Sequence, residues 1–154
     1  TGHFVFSSLH TNTAIGAVTR LMDFGCEPYL VSATLVGAIS QRLVRRLCPA
    51  CREEVDVDDA NRALLGDHEL KRQFKSVGCP QCLGTGYSGR IGLFECFWTG
   101  EDTRELISNG AAEHEISRVG GDLHKTMFRD GLDKVSLGLT SLEEVIGVTI
   151  GASI

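Results

Sequence analysis

The chain has 154 residues, 42% of them hydrophobic, which is enough for one ordinary core and a smaller appendage but not for two full domains. Its 15 Lys and Arg against 20 Asp and Glu give a net charge of -5 without any long basic run, which argues against a nucleic-acid partner. The longest apolar stretch, Leu30 to Ile39, is broken by Ser32, Thr34 and Gly37 and is too short to span a bilayer.

In chain order, His3 to Leu9 alternates apolar and small polar residues and reads as a buried strand. Thr11 and Asn12 are good N-cap types. Ile15, Val18, Leu21 and Met22 follow at helical spacing until Gly25 offers a C-cap. Pro28 suits the first turn of a second helix reaching about Gly37. Ile39, Gln41, Leu43, Arg45 and Leu47 then share one face of a strand that runs into Cys48. The next segment is acidic (Glu53, Glu54, Asp56, Asp58, Asp59), and Ala63, Leu64, Leu70 and Phe74 predict one or two short amphipathic helices with little core of their own.

After the glycines Gly84, Gly86 and Gly89, a strand carries Ile91, Leu93, Glu95 and Phe97, placed to pair with the strand before Cys48 and close the neck of an insert. Four helices complete the pattern: Glu101 to Asn109, Glu113 to about Val119, Leu123 to about Val135, and one after Thr140, where Thr140 with Glu143 reads as a capping box.

No charged n-region followed by an apolar h-region opens the sequence, so the cysteines are read in a reducing context, where metal ligation is favoured over disulfides. Cys48, Cys51, Cys79 and Cys82 form two Cys-x-x-Cys pairs and supply the four thiolates of a closed tetrahedral zinc site. Pro49 and Pro80 favour tight turns within the pairs. The gap from Arg52 to Gly78 exceeds the usual ribbon spacing, but closure entropy grows slowly with loop length. Disulfides, a redox pair or buried thiols are the alternatives. Four protein ligands leave no position for a reacting water, which makes the expected Zn2+ structural. Cys26 and Cys96 stand apart and read as small buried apolar residues.

Residues 1–12, Thr-Gly-His-Phe-Val-Phe-Ser-Ser-Leu-His-Thr-Asn, resemble the histidine box of the secretion ATPases that drive type II secretion and type IV pilus assembly, with Ser8 where those proteins carry Thr. The resemblance continues through Arg20-Leu21, Gly25, Pro28, Gln41 to Cys48, Gly78 to Cys82, Thr85 to Arg90, Asp130-Gly131, Lys134-Val135, Gly138, Thr140 and Glu143-Glu144. The segment Gly121 to Met127 departs from the family's Gly-Met-x-x-Leu pattern.

The resemblance implies an α/β fold: the C-terminal portion of a RecA-like nucleotide-binding domain with an inserted tetracysteine zinc lobe and a C-terminal helical subdomain. Residues 1–47 then close the ATPase core, 48–86 form the metal insert, 87–98 the returning strand and 99–154 the helical subdomain. It further implies that His3 and His10 face bound nucleotide, His3 as the reporter of phosphate, and that Arg20 and Arg90 lie at the phosphates or the subunit junction. Arg42, Arg45 and Arg46 read as surface or interface charge.

No Gly-x-x-x-x-Gly-Lys-Ser/Thr loop occurs, and Thr1 begins the chain inside the expected strand, so the expectation is a piece of a longer protein that does not hydrolyse ATP by itself. The parent protein is expected to be a cytoplasmic homo-hexamer using ATP and Mg2+. It would be peripheral at the bacterial inner membrane, through an inner-membrane platform and cytoplasmic adaptor proteins, and would have no nucleic-acid partner. The competing reading is a free-standing zinc-ribbon interaction module; a catalytic zinc enzyme is the third.

Overall fold

The computed structural model describes residues 2–66 and 68–150. It is a mixed α/β structure whose elements are α1 (Gly16–Asp23), α2 (Pro28–Thr34), β1 (Gly37–Leu47), β2 (Glu53–Val55), α3 (Asp59–Leu65), β3 (Gln73–Lys75), β4 (Tyr87–Trp98), α4 (Glu101–Ser108), α5 (Glu113–Gly120), β5 (His124–Lys125), α6 (Met127–Ser136) and α7 (Leu142–Thr149). One sheet has the order β1-β4-β5, and β2 pairs with β3 in a second. The expected pairing between the strand before Cys48 and the strand after Cys82 is therefore present. Two compact units divide the chain, the first from residues 1–40 and 95–125, the second from 41–94 and 126–154.

In the first unit, Ala14, Ile15, Val18, Val31, Phe97, Ile107 and Ile116 bury one core between α1, α2, α4, α5 and the end of β4. Fully burying side chains of this size contributes roughly 1.5–3 kcal/mol each. The expected caps Thr11 and Asn12 do not start α1. The N-cap position is Ile15, and the amide of Gly16, the first helical residue, is taken by Thr13 Oγ1 at 2.9 Å. At the other end Gly25, at φ +88°, donates to Met22 O while Cys26 donates to Leu21 O, the pair of bonds that closes a helix on a left-handed residue. Cys26 is exposed and Cys96 half-buried, so neither is the core residue expected.

β5 pairs with β4 through Cys96–Lys125 and Phe97–His124. His124 Nε2 lies 2.9 Å from Glu95 Oε1, with both side chains buried, and its Nδ1 lies 3.2 Å from Ser117 Oγ on α5. A buried carboxylate is costly without such a partner.

The second unit buries Val44, Val57, Leu65, Leu93, Met127, Leu132, Val135, Leu142 and Val145. On β1 the buried residues are Val44 and Leu47, while Ile39 and Leu43, on the same expected face as Leu47, are exposed. Among the described residues between the cysteine pairs, one of the expected helices, α3, forms, started by Asp58 accepting the Asn61 amide at 2.7 Å. Phe74 lies on β3 instead, opposite Glu54. The third C-terminal helix starts at Met127, not Leu123. Thr126 caps it by accepting the Arg129 amide, and His124–Lys125 are claimed by the sheet.

Asp130 on α6 accepts the Phe94 amide at 2.9 Å and pairs with Lys134 one turn later. Thr140 is fully buried and donates to Arg45 O at 2.8 Å, so it ties β1 down in place of forming the capping box. Ser141 takes the N-cap position of α7.

His3 to Leu9 is not a buried strand. Residues 2–10 form no regular element, and Phe4 and Phe6 are 69% and 88% exposed, packed edge-on against each other at 4.8 Å. Alternation marks a chain able to be a strand, but a strand also needs a neighbour for its amides. Thr1 lies outside the described residues.

A Cβ at Gly131 of α6 would stand 2.9 Å from Val145 Cγ2 and closer still to Cγ1 on α7. Gly131→Ala should cost about 1–3 kcal/mol by overpacking, read as a lowered melting temperature. Gly147→Ala, with open space around the position, should be neutral or stabilising by up to about 1 kcal/mol.

On the same unit Arg45 grips Glu144 through Nη2–Oε1 at 2.6 Å and its own amide at 2.8 Å. The Arg45 side-chain hydrogen bond outweighs burial and, with the backbone bond and the cation's charge, holds the Glu144 carboxyl below the ordinary glutamate range. A depressed folded-state pKa adds stability above the unfolded value and loses it as pH falls through the folded one. Glu144→Gln should therefore cost about 0.5–1 kcal/mol at neutral pH, and melts taken against pH should converge with the wild type below the folded-state value.

Candidate metal centre

Two tight turns in the second unit carry the cysteines. In the first turn, the amides of Cys51 and Arg52 both donate to Cys48 O, at 3.3 and 3.0 Å. The second is a 3-10 turn, Pro80–Cys82, in which Cys82 and Gly84 donate to Cys79 O at 3.2 and 2.9 Å. Cys48 N donates to Gly86 O at 2.9 Å, which binds the first turn to the strand side of the second. Two glycines permit this closeness. A Cβ at Gly78 would sit 2.5 Å from Gly84 O and one at Gly86 2.5 Å from Ser76 Cβ, and both residues have φ in the left-handed region, +106° and +76°.

All four sulfurs fall within 4.8 Å of one another. Cys48–Cys79, Cys51–Cys82 and Cys79–Cys82 are separated by 3.9, 3.8 and 3.7 Å. A tetrahedral ion with Zn–S bonds of about 2.3 Å sets its sulfurs about 3.8 Å apart, so the cage has the size zinc requires. Sulfur-only ligation is the donor set that selects zinc or iron–sulfur chemistry over hard cations.

Amide groups already point at the sulfurs: Gly78 N at 3.3 Å from Cys51 Sγ, and Cys79 N and Gly86 N each at 3.2 Å from Cys82 Sγ. At Cys82 burial opposes the thiolate, but the two amides and the thiols of Cys79 and Cys51 bring its pKa down to about 6. At Cys51 burial and the three neighbouring thiols outweigh the Gly78 amide and push it up to about 12. Burial penalises both charges, and the thiolate is eased at Cys82, where two amides meet one sulfur, and resisted at Cys51, which has one. A divalent cation removes that conflict.

The lobe is held to the helices beside it. Arg52, next to Cys51, lies over the Phe74 ring at 5.2 Å and donates to the Leu137 and Gly138 carbonyls beyond α6. Arg72 donates to Ser136 O at 2.9 Å from over the same ring, at 5.9 Å. Sequence reasoning missed Arg52, Arg72 and Phe74. Arg52 carried the signal of adjacency to a cysteine, Phe74 showed only as an apolar residue, and Arg72 carried no signal.

The other expected site residues lie on different elements. His3 and His10 are exposed on the segment before α1. Arg20 is on α1, 3.9 Å from Asp23 Oδ2 and 4.7 Å over the Phe24 ring. Arg90 is exposed on β4 in the second unit. Arg45, read as surface charge, is taken up by Glu144 and lies 4.1 Å over the Tyr87 ring.

Zinc analysis of the purified protein should give one ion per chain, and Cys51→Ser should retain only a small fraction of it. Structural zinc supplies about 10–16 kcal/mol of apparent binding energy in small fingers, so chelation should lower the melting temperature of the wild type and leave that of the variant nearly unchanged. A wild type that purifies without zinc, or whose melting temperature chelation leaves unchanged, would refute the closed site.

A family model described as "Type II/IV secretion system protein" matches residues 1–147. The type II secretion system ATPase E of Vibrio cholerae is 46% identical over 152 residues, covering 97% of this chain and 30% of that protein. Type II secretion system protein E of Aeromonas hydrophila is 47% identical over 151 residues, with the same two coverages. The type IV pilus assembly ATPase PilB of Thermus thermophilus is 43% identical over 155 residues, covering 97% of the chain and 17% of that protein. The chain thus spans less than a third of the length of these relatives. With a match that runs through both cysteine pairs and sulfurs gathered at zinc-ligand spacing, the chain belongs to the type II/IV secretion system protein family, in its tetracysteine form.

Proposed function

We propose that these residues are the C-terminal part of a hexameric motor ATPase that powers type II protein secretion or type IV pilus assembly. The observation that carries this reading is the match over residues 1–147, with 43–47% identity to two secretion proteins and a pilus assembly ATPase. In that setting residues 1–47 complete a RecA-like nucleotide-binding core, 48–86 form an insert holding one structural Zn2+, 87–98 return to the core, and 99–154 are a helical subdomain. The phosphate loop and the Mg2+ site would be supplied by the rest of the protein, since no Gly-x-x-x-x-Gly-Lys-Ser/Thr sequence occurs here.

His3 is the candidate reporter of the terminal phosphate, with His10 beside it. Arg20 and Arg90 are the candidate guanidinium groups for phosphate or a subunit junction, roles that a permanently charged, forked donor suits. The exposure of Phe4, Val5 and Phe6 supports the reading, because three consecutive exposed apolar side chains are what another part of a longer protein would cover. Work on the inner-membrane platform, through cytoplasmic adaptors, places the motor in the cytoplasm at the membrane face. No described helix is long and apolar enough to cross a membrane.

In the complete protein, His3→Ala and Arg90→Ala should each lower kcat for ATP by roughly 100-fold or more while zinc content stays at one per chain. Residues 1–154 alone should show no Mg2+-dependent turnover. Wild-type rates in both variants, or hydrolysis by the isolated chain, would sink the assignment.

A further inference from the structure

A carboxylate from α5 grips the segment that joins the histidine residues to α1. Glu113 is the first residue of α5, and its side chain crosses to the start of α1 within the same unit. Thr19 Oγ1 donates to Glu113 Oε1 at 2.8 Å, and Thr13 Oγ1 donates to Glu113 Oε2 at 3.3 Å. Thr13 in turn accepts the Gly16 amide, and its own carbonyl accepts from Thr11 Oγ1 at 3.0 Å. One carboxylate thus stands at the first turns of two helices, α1 and its own α5, where the exposed amide ends favour negative charge. A Cβ at Gly16 would come within 2.8 Å of Thr13 Oγ1 and 3.1 Å of Glu113 Oε1, so the approach depends on glycine there.

The apolar core alone does not fix the direction in which the chain enters α1. Ala14, Ile15 and Val18 are buried among Phe97, Ile107 and Ile116, which anchors the helix, but Thr11, Asn12 and Thr13 lie outside that core. The Glu113 contacts are what bind Thr13, three residues after His10, to a second element far along the chain. We propose that Glu113 is a positioning residue for the histidine segment: through Thr13 and Thr19 it fixes where His10 and the residues before it leave α1, and so links α5 to the nucleotide. The inference rests on the reading of residues 3–12 as nucleotide-facing.

The test uses the complete ATPase. Glu113→Ala should lower kcat about 10-fold, since misplacing a reacting group by about 1 Å costs up to about 100-fold, with KM for ATP within twofold and zinc content unchanged. Glu113→Gln, which keeps an oxygen for the Thr19 hydroxyl, should recover most of the rate. Thr13→Val with Thr19→Val should reproduce the loss, and adding Glu113→Ala to that pair should cost little more. Should Glu113→Ala fail to fold, the threonine pair carries the same test, and full kcat in it overturns the proposal.

Wild-type kcat in Glu113→Ala, or losses that add independently, would also overturn it, as would kcat and zinc content falling together, which marks general damage. If His3→Ala cripples hydrolysis and Glu113→Ala does not, only the positioning role is lost. If neither His3→Ala nor His10→Ala affects hydrolysis, the nucleotide-facing reading fails and the inference falls with it.

Discussion

Like charges cannot be crowded without a counter-charge, and the second unit is built around a place where they are crowded. Four sulfurs share a volume whose widest separation is 4.8 Å. Backbone amides of Gly78, Cys79 and Gly86 supply partial positive charge, enough to ease ionisation at Cys82 but not at Cys51. The cage is thus half-prepared by the chain and has the size that a zinc ion would complete. Its backbone geometry costs something to hold: Leu83, directly after the last cysteine, sits at φ +54° with its side chain 90% exposed, a conformation disfavoured by about 1 kcal/mol for residues other than glycine.

Buried ionisable residues recur at the joints of both units, each compensated locally. Asp130 meets the Phe94 amide and Lys134, whose ammonium also lies 5.0 Å over the Phe94 ring. Glu95 meets His124, which meets Ser117. Buried pairs of this kind stabilise less than apolar packing would, but they admit only one arrangement of their elements. Asp130 sets where α6 meets β4, and Glu95 sets where β5 meets β4.

Features whose cause is local were legible in the sequence. The cysteine spacing, the strand through Leu93, Glu95 and Phe97, the proline at the start of α2 and the helices beginning at Glu101 and Glu113 all carried through. Features whose cause lies elsewhere in the chain were not. His3 to Leu9 alternates like a strand, yet pairing is a property of two segments. Of the face Ile39, Leu43 and Leu47 only Leu47 is buried, and Val44 is buried with it, because what β1 buries is decided by what packs on it. Thr140 had the sequence of a cap and became a tie to Arg45 O, and Phe74 had the look of a helix face and became the shared ring under two arginines. Glu113 carries no motif. Only its proximity to Thr13 and Thr19 marks it.

The carbonyls that end α6 belong energetically to a distant stretch of chain. A helix normally closes its C-terminus with nearby residues, and Gly138 at φ +68° does part of this, but Ser136 O, Leu137 O and Gly138 O are taken by Arg72 and Arg52. Those guanidinium groups reach their acceptors only when β2 and β3 are paired and Phe74 is in place beneath them. The last turn of α6 therefore shares its hydrogen bonds with the cysteine lobe, so opening the lobe would also strip acceptors at the helix end of their partners.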